Sequence, residues 1–204
     1  KAFHFGGVFL FNEIDLVHPS KLTALNEILS GNTLIIPGID ETLHKHEAFR
    51  FIVTANTNGS FDEESGISFE GTESMNIAFM DRFIVNQYHY LPEVIELQIL
   101  TGFSKQVYAA KNNISGEELL IAVNKITPMI NKMIGVAKES RKAANNSGDF
   151  NRPVSIRGLK RWVQKAIQFE KAPNPIKKGF EQSILNAYSA SHQVAMLEFY
   201  NDAF

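Results

Sequence analysis

The chain has 204 residues, 44% hydrophobic and 21% charged, which is enough apolar material for one substantial core and a second, small one. Its formal net charge of −2 makes no case for an electrostatic nucleic-acid binder as a whole, and the absence of cysteine excludes disulfides, thiolate metal sites and a cysteine nucleophile. No stretch approaches the roughly 20 apolar residues of a membrane helix and residues 1–4 carry no signal-peptide pattern, so the expectation is a cytoplasmic protein with no membrane partner.

Residues 7–11, Gly-Val-Phe-Leu-Phe, are an apolar run ended by Asn12, Glu13 and, two places on, Asp15, which predicts a strand buried on both faces of a parallel sheet with acids at its C-terminal end. Pro19 and Ser20 open a helix whose Leu22, Leu25, Ile28 and Leu29 share one face and which Gly31 stops. Residues 34–36 and 42–44 flank Pro37-Gly38 and read as a β-hairpin; residues 49–55 read as a second strong strand followed by turn residues from Asn56. Residues 61–72 are rich in Gly, Ser, Asp and Glu and predict an exposed loop, and residues 83–90 predict a third strand. Beyond Pro92 the apolar positions recur at helical spacing, from Val94 and Leu97 through Leu119, Val123, Ile126, Ile130 and Met133 to Ile134. Residues 140–155, with Asn-Asn-Ser-Gly-Asp and Arg-Pro, predict a loop, and helices fit 156–170 and 178–200. The expected organisation is an α/β region over residues 1–91 and a helical region over 92–204.

Four segments carry chemical promise. They are residues 8–15, Val-Phe-Leu-Phe-Asn-Glu-Ile-Asp; residues 51–57, Phe-Ile-Val-Thr-Ala-Asn-Thr; residues 75–83, Met-Asn-Ile-Ala-Phe-Met-Asp-Arg-Phe; and residues 153–159, Pro-Val-Ser-Ile-Arg-Gly-Leu. Ligands of open α/β sheets bind at the carboxyl ends of the strands, so a strand that delivers a carboxylate there suits nucleotide chemistry. In order, the four resemble the Walker B strand, the sensor 1 strand, the arginine-finger segment and the sensor 2 start of a lid helix in AAA+ ATPases, a resemblance that covers nearly the whole chain. Within that family the wording is most similar to the MoxR/dynein-related branch and to the CobS-type small ATPase subunit of aerobic cobaltochelatase. Three stretches carry this likeness: His46-Glu47-Ala48-Phe49-Arg50 running into Thr54-Ala55-Asn56-Thr57, Gly71-Thr72 followed by Asn76 and Met80-Asp81-Arg82, and Ala195-Met196-Leu197-Glu198-Phe199-Tyr200.

The resemblance implies part of a P-loop NTPase parallel sheet with flanking helices, followed by an α-helical lid. It implies ATP and Mg²⁺ as cofactors, a ring oligomer such as a hexamer that remodels its client, and a partner with a von Willebrand A-type domain. Under it Glu13 is the general base or water-polarising residue, Asn56 holds the attacking water, Arg82 reaches the neighbouring subunit's nucleotide and Arg157 touches the γ-phosphate of its own subunit. Asn12 stands where the metal-associated Asp belongs. An amide brings no negative charge and reaches the metal only through a bound water, so hydrolysis is weakened and a non-catalytic AAA+ scaffold is the alternative. Residue 156, Ile, likewise replaces the Pro usual before the sensor 2 Arg.

No Gly-x-x-x-x-Gly-Lys-[Ser/Thr] occurs in the sequence, so the phosphate cradle is missing from it; the expectation is a fragment whose N-terminal portion carries that loop and fills the slot beside residues 83–90. His18, His44, His46 and Glu47 read as ordinary surface residues rather than a metal site, and three Asn-x-Ser matches are set aside because nothing indicates secretion. Residues 138–178 hold eleven Lys and Arg against three acids. That run reads first as a solvated helix face, and second as a phosphate-contacting surface of a nucleic-acid-associated subunit.

Overall fold

The computed structural model describes residues 1–22, 25–31, 33–35, 38, 41–56, 77–147, 150 and 152–204; the loop expected over 61–72 lies outside them. These residues are mostly helical, with one small parallel sheet and flanking helices. They form two compact units, residues 1–56 with 77–87 and residues 88–204.

The first unit runs α1 (Ala2–Phe5), β1 (Gly7–Phe11), a 3-10 turn (Ile14–Leu16), α2 (Pro19–Leu22), α3 (Leu25–Ser30), β2 (Thr33–Ile35), β3 (Thr42–His44), β4 (Phe49–Val53) and α4 (Ile77–Met80). β1 and β4 pair in parallel, from Gly7 beside Phe49 to Phe11 beside Val53, and β2 and β3 form the antiparallel hairpin. Both strands of the parallel pair consist mainly of Phe, Val, Leu and Ile, whose branched or aromatic side chains fit a pleated surface. α3 stops at Gly31, whose N–H donates to the Glu27 carbonyl at 2.8 Å. Only glycine fits there, because a Cβ would lie 2.6 Å from that same oxygen.

The expectation that β1 is buried on both faces is not met. Positions alternate across a strand, so Phe9, Phe11, Phe51 and Val53 share one face and Val8, Leu10 and Ile52 the other. The first face is partly covered: Phe9 stacks on Phe51 at 5.4 Å, Phe83 lies 6.2 Å from Phe51, and Phe79 lies 5.2 Å from Phe83. On the second, Val8 is 61% and Leu10 53% exposed, because a parallel strand is buried twice over only where helices cover both sides. The strand expected over 83–90 is also absent. A strand needs a neighbour to satisfy its backbone, and among the described residues none pairs with this segment; Phe83 instead packs on the sheet while Ile84 and Tyr88 stand exposed.

The second unit consists of α5 (Glu93–Asn112), α6 (Gly116–Ser147), α7 (Ile156–Gln168), α8 (Pro175–Ser183), a 3-10 turn (Leu185–Ala187) and α9 (Ala190–Ala203). α6 carries the helical periodicity past the expected loop start at 140 and runs to Ser147, and it tolerates Pro128 in its interior. Pro128 leaves the Asn124 carbonyl without its usual helical donor, while the neighbouring Thr127 hydroxyl donates to the Val123 carbonyl at 2.7 Å. Gly116–Asn145 is long and apolar enough to cross a membrane by length and composition, contrary to the reading of the sequence. Its Val123, Ile126, Ile130, Met133, Ile134 and Val136 are nevertheless buried in the core of this unit. The single helix expected over 178–200 is two helices: Ile184 leaves helical geometry at φ −129°, ψ −65°, and Ile184 and Leu185 both turn into the core.

α7 and α8 meet at close range. Gly179 faces the Ala166 backbone so tightly that a Cβ would come 2.9 Å from its nitrogen. Trp162, fully buried, donates its indole N–H to the Ile176 carbonyl at 2.9 Å and lies 4.9 Å from Phe180 and 6.1 Å from Tyr200. The other fixed point is ionic. Glu96 of α5 accepts two hydrogen bonds from Arg141 of α6, at 2.8 and 3.0 Å; Arg141 also donates through Nε to the Val154 carbonyl at 2.9 Å and carries the Tyr90 ring 4.2 Å from its guanidinium carbon. The Ser140 hydroxyl accepts the Val154 N–H at 3.0 Å. One pair of charges thus joins α5, α6 and the segment leading into α7.

Removing one member of a buried pair leaves the other charge uncompensated, so Arg141→Met is expected to cost about 3–5 kcal/mol in urea unfolding, and adding Glu96→Leu to recover most of it; a double variant no more stable than the single one would contradict the assignment. Burial pushes the Tyr188 hydroxyl from 10.0 up to about 12, against a smaller downward pull from Arg152. The folded chain then keeps, between pH 10 and 12, a proton that the unfolded chain loses, and stability falls as pH rises through that window. The wild type should lose more stability across it than Tyr188→Phe, and equal losses would refute the shift.

Candidate site at the strand ends

The two parallel strands end side by side, and the chain beyond each is tied to the other. The Thr54 N–H donates to the Phe11 carbonyl at 3.0 Å and the Ile14 N–H to the Thr54 carbonyl at 2.9 Å, which carries the ladder past both strands. Between these two bonds the Thr54 hydroxyl accepts the Glu13 N–H at 3.0 Å and donates to the Asn12 Oδ1 at 3.3 Å. One side chain of β4's extension thereby fixes two consecutive residues of β1's extension.

Glu13 turns the chain in the left-handed region, at φ 56°, ψ 50°. That conformation costs a residue bearing a Cβ of order 1–3 kcal/mol and persists where neighbours over-determine it. Here the neighbours are the Thr54 bonds on one side and Ile14, 1% exposed, on the other. The turn leaves the Glu13 side chain exposed at the strand end while Ile14 anchors the small core with Leu22 and Phe79. Asp15, fully buried, accepts the Asn56 N–H through Oδ2 at 2.7 Å. A carboxylate that accepts a backbone N–H makes a strong, charge-assisted bond, and this one holds Asn56 against the same turn.

The structure therefore brings together Asn12, Glu13 and Asn56, three of the five residues singled out in the sequence, and adds Thr54 and Asp15. Both additions stood inside the quoted motifs without a role. Arg82 lies in the same unit, directly after α4; its Nε donates to the Ser30 hydroxyl at 2.9 Å and its guanidinium also bonds the Ala78 carbonyl. Arg157 belongs to the second unit. It is exposed in the first turn of α7, whose start is set by the Ser155 hydroxyl accepting the Gly158 N–H at 3.3 Å.

The donor set at the strand ends is a poor fit to a directly bound Mg²⁺, which takes carboxylate and water oxygens in octahedral array. Asn12 is neutral and its oxygen already accepts from Thr54; Asp15 is turned inward to Asn56; Glu13 alone offers an exposed carboxylate. No group of three or more His, Asp or Glu able to hold a metal occurs among the described residues. What the arrangement offers chemically is one exposed carboxylate in a fixed backbone turn and, on the pinned loop that ends the neighbouring strand, one exposed amide. Such a pair can orient a water and accept its proton.

No protein-family model matches the chain, and no curated protein matches it.

If Thr54 sets the turn through its hydroxyl, Thr54→Val should lower stability by about 0.5–1.5 kcal/mol, the net worth of the exposed bond to the Glu13 N–H, while Thr54→Ser stays close to wild type. Equal stability of the Val and Ser variants in chemical denaturation would show that the hydroxyl does not hold the turn.

Proposed function

We propose that this chain supplies the water-side and lid elements of an ATP-hydrolysing AAA+ module, a P-loop NTPase part of an oligomeric remodelling or chelatase-type machine. The observation that supports it most is the parallel pairing of β1 with β4, which sets the Walker B-like Asn12-Glu13 beside the sensor 1-like Thr54 and Asn56 although about forty residues separate them. In this reading Glu13 polarises the attacking water and takes its proton, and Asn56 holds that water from the other side. A base placed in this way contributes about 10²- to 10⁴-fold to a rate. Arg82 acts on the nucleotide of a neighbouring subunit in the ring, and Arg157 on that of its own. The triphosphate needs a cradle that these 204 residues do not contain, so their part in such a site is the water side only. A metal, when bound, would neutralise phosphate charge, and Asn12, neutral and already accepting from Thr54, fits it poorly.

A second reading, a non-catalytic AAA+ scaffold that holds a ring together, is favoured by that same residue. Asn12 lacks charge and is occupied by Thr54.

ATP turnover by the full-length protein separates the two. Glu13→Gln should lower kcat by at least about 10²-fold, and Asn12→Asp should raise Mg²⁺-dependent turnover; identical rates for wild type and Glu13→Gln would eliminate the catalytic reading.

A further inference from the structure

The basic run of residues 138–178 separates into two parts once its partners are known. Lys138, Arg141 and Lys142 are ion-paired with Glu93, Glu96 and Glu139, at 2.6, 2.8 and 2.6 Å, and Arg152 donates to the Ala187 carbonyl at 3.0 Å. The cations of α7, α8 and the turn between them form no ion pair among the described residues. α7 contains no Asp or Glu in its 13 residues, and the one acid between 156 and 178, Glu170, is taken up by Lys111 at 3.1 Å. In a chain of net charge −2, the rest is therefore net acidic and the positive charge is concentrated on this pair of helices.

Packing puts these charges on one surface. Trp162, Val163, Ala166 and Ile167 turn inward and are buried, so Arg161, Gln164, Lys165 and Gln168 take the outer side of α7 at one-turn spacing. The contact of Gly179 with Ala166 brings α8 alongside. The ammonium groups of Lys165, from α7, and Lys178, from α8, lie 5.8 and 4.9 Å from the centre of the same Phe169 ring. Lys171, in the turn between the helices, and Lys177, next in sequence to Lys178, are exposed.

We infer that this face of α7 and α8, built on Arg161, Lys165, Lys171, Lys177 and Lys178, binds nucleic acid through its phosphates without reading sequence. The proposal is independent of the strand-end site. Two features favour this occupant. Apart from Glu170, which Lys111 takes up, and Glu181, one turn from Lys177 and Lys178, the charged groups here are Lys and Arg, which suit phosphate oxygens. The one aromatic ring among them, Phe169, is half-buried against the Lys165 and Lys178 ammonium groups rather than standing out as an anchor for a protein partner. An anionic membrane is disfavoured because interfacial helices bury an apolar face in lipid, whereas the apolar residues of α7 are already buried in the protein core.

Fluorescence anisotropy of the full chain with a labelled DNA duplex tests this across a salt series. Four phosphate contacts predict a slope of log affinity against log salt of about −4. Arg161→Gln/Lys165→Gln/Lys177→Gln/Lys178→Gln should weaken binding by at least about tenfold and flatten the slope, with the thermal unfolding curve unchanged. A control that removes the same charge elsewhere, Lys21→Gln/Lys45→Gln/Lys105→Gln/Lys125→Gln, should bind as the wild type does. Should the quadruple variant misfold, Lys165→Gln/Lys178→Gln alone should still lower the slope. Absence of DNA binding at low salt, equal loss in the control, or tighter binding to phosphatidylserine vesicles or to polyglutamate than to DNA would each overturn the proposal.

Discussion

The Thr54 hydroxyl sits between two hydrogen bonds of a parallel ladder that outlasts its own strands, and the candidate site depends on that position. With the ladder continued through the Phe11 and Thr54 carbonyls, the residues after β1 have little freedom. Asn12 and Glu13 are held by one oxygen, Ile14 is driven into the core, and Asp15 is left to receive the Asn56 N–H. The left-handed turn at Glu13 is the consequence. Its unfavourable conformation is offset by bonds and burial on both sides, a pattern common where a side chain must be aimed rather than packed.

The same constraint explains why the two chemical readings differ by one residue. A ladder that closes through Thr54 occupies the Asn12 oxygen, and an amide in that place supplies no charge to a metal. Glu13 and Asn56 are not compromised in this way, since their backbones are fixed and their side chains exposed. The geometry thus serves water more readily than it serves Mg²⁺. In the helical unit the division is similar: the Glu96–Arg141 pair is committed to architecture, while the cations of α7 and α8 make no ion pair among the described residues.

Much of the fold was legible wherever a local pattern decided the outcome. The apolar runs at 7–11 and 49–53 are strands, residues 33–35 and 42–44 pair as the expected hairpin, and the periodicity beyond Pro92 is helix. The failures were those that depend on neighbours. Residues 83–90 have strand composition but no strand beside them, and β1 has buried-strand composition but an open face. Ser140 to Ser147 contains residues typical of loops, yet the packing of α6 carries the helix through them, and the pull of Ile184 and Leu185 into the core broke the helix expected over 178–200. At the site, residue types at the strand ends could be read, but the bonds of Thr54 and Asp15 join positions 41 and 42 apart, a pairing that no local pattern encodes.

The central claim is that the turn at Glu13 and the loop at Asn56 face the terminal phosphate of a nucleotide. Hydrogen exchange of the protein, compared with a non-hydrolysable ATP analogue and with ADP, tests that position directly. The account predicts slower exchange at residues 12–16 and 54–56 with the triphosphate but not with the diphosphate. Equal exchange in those segments with both nucleotides, while the protein demonstrably binds them, would contradict it.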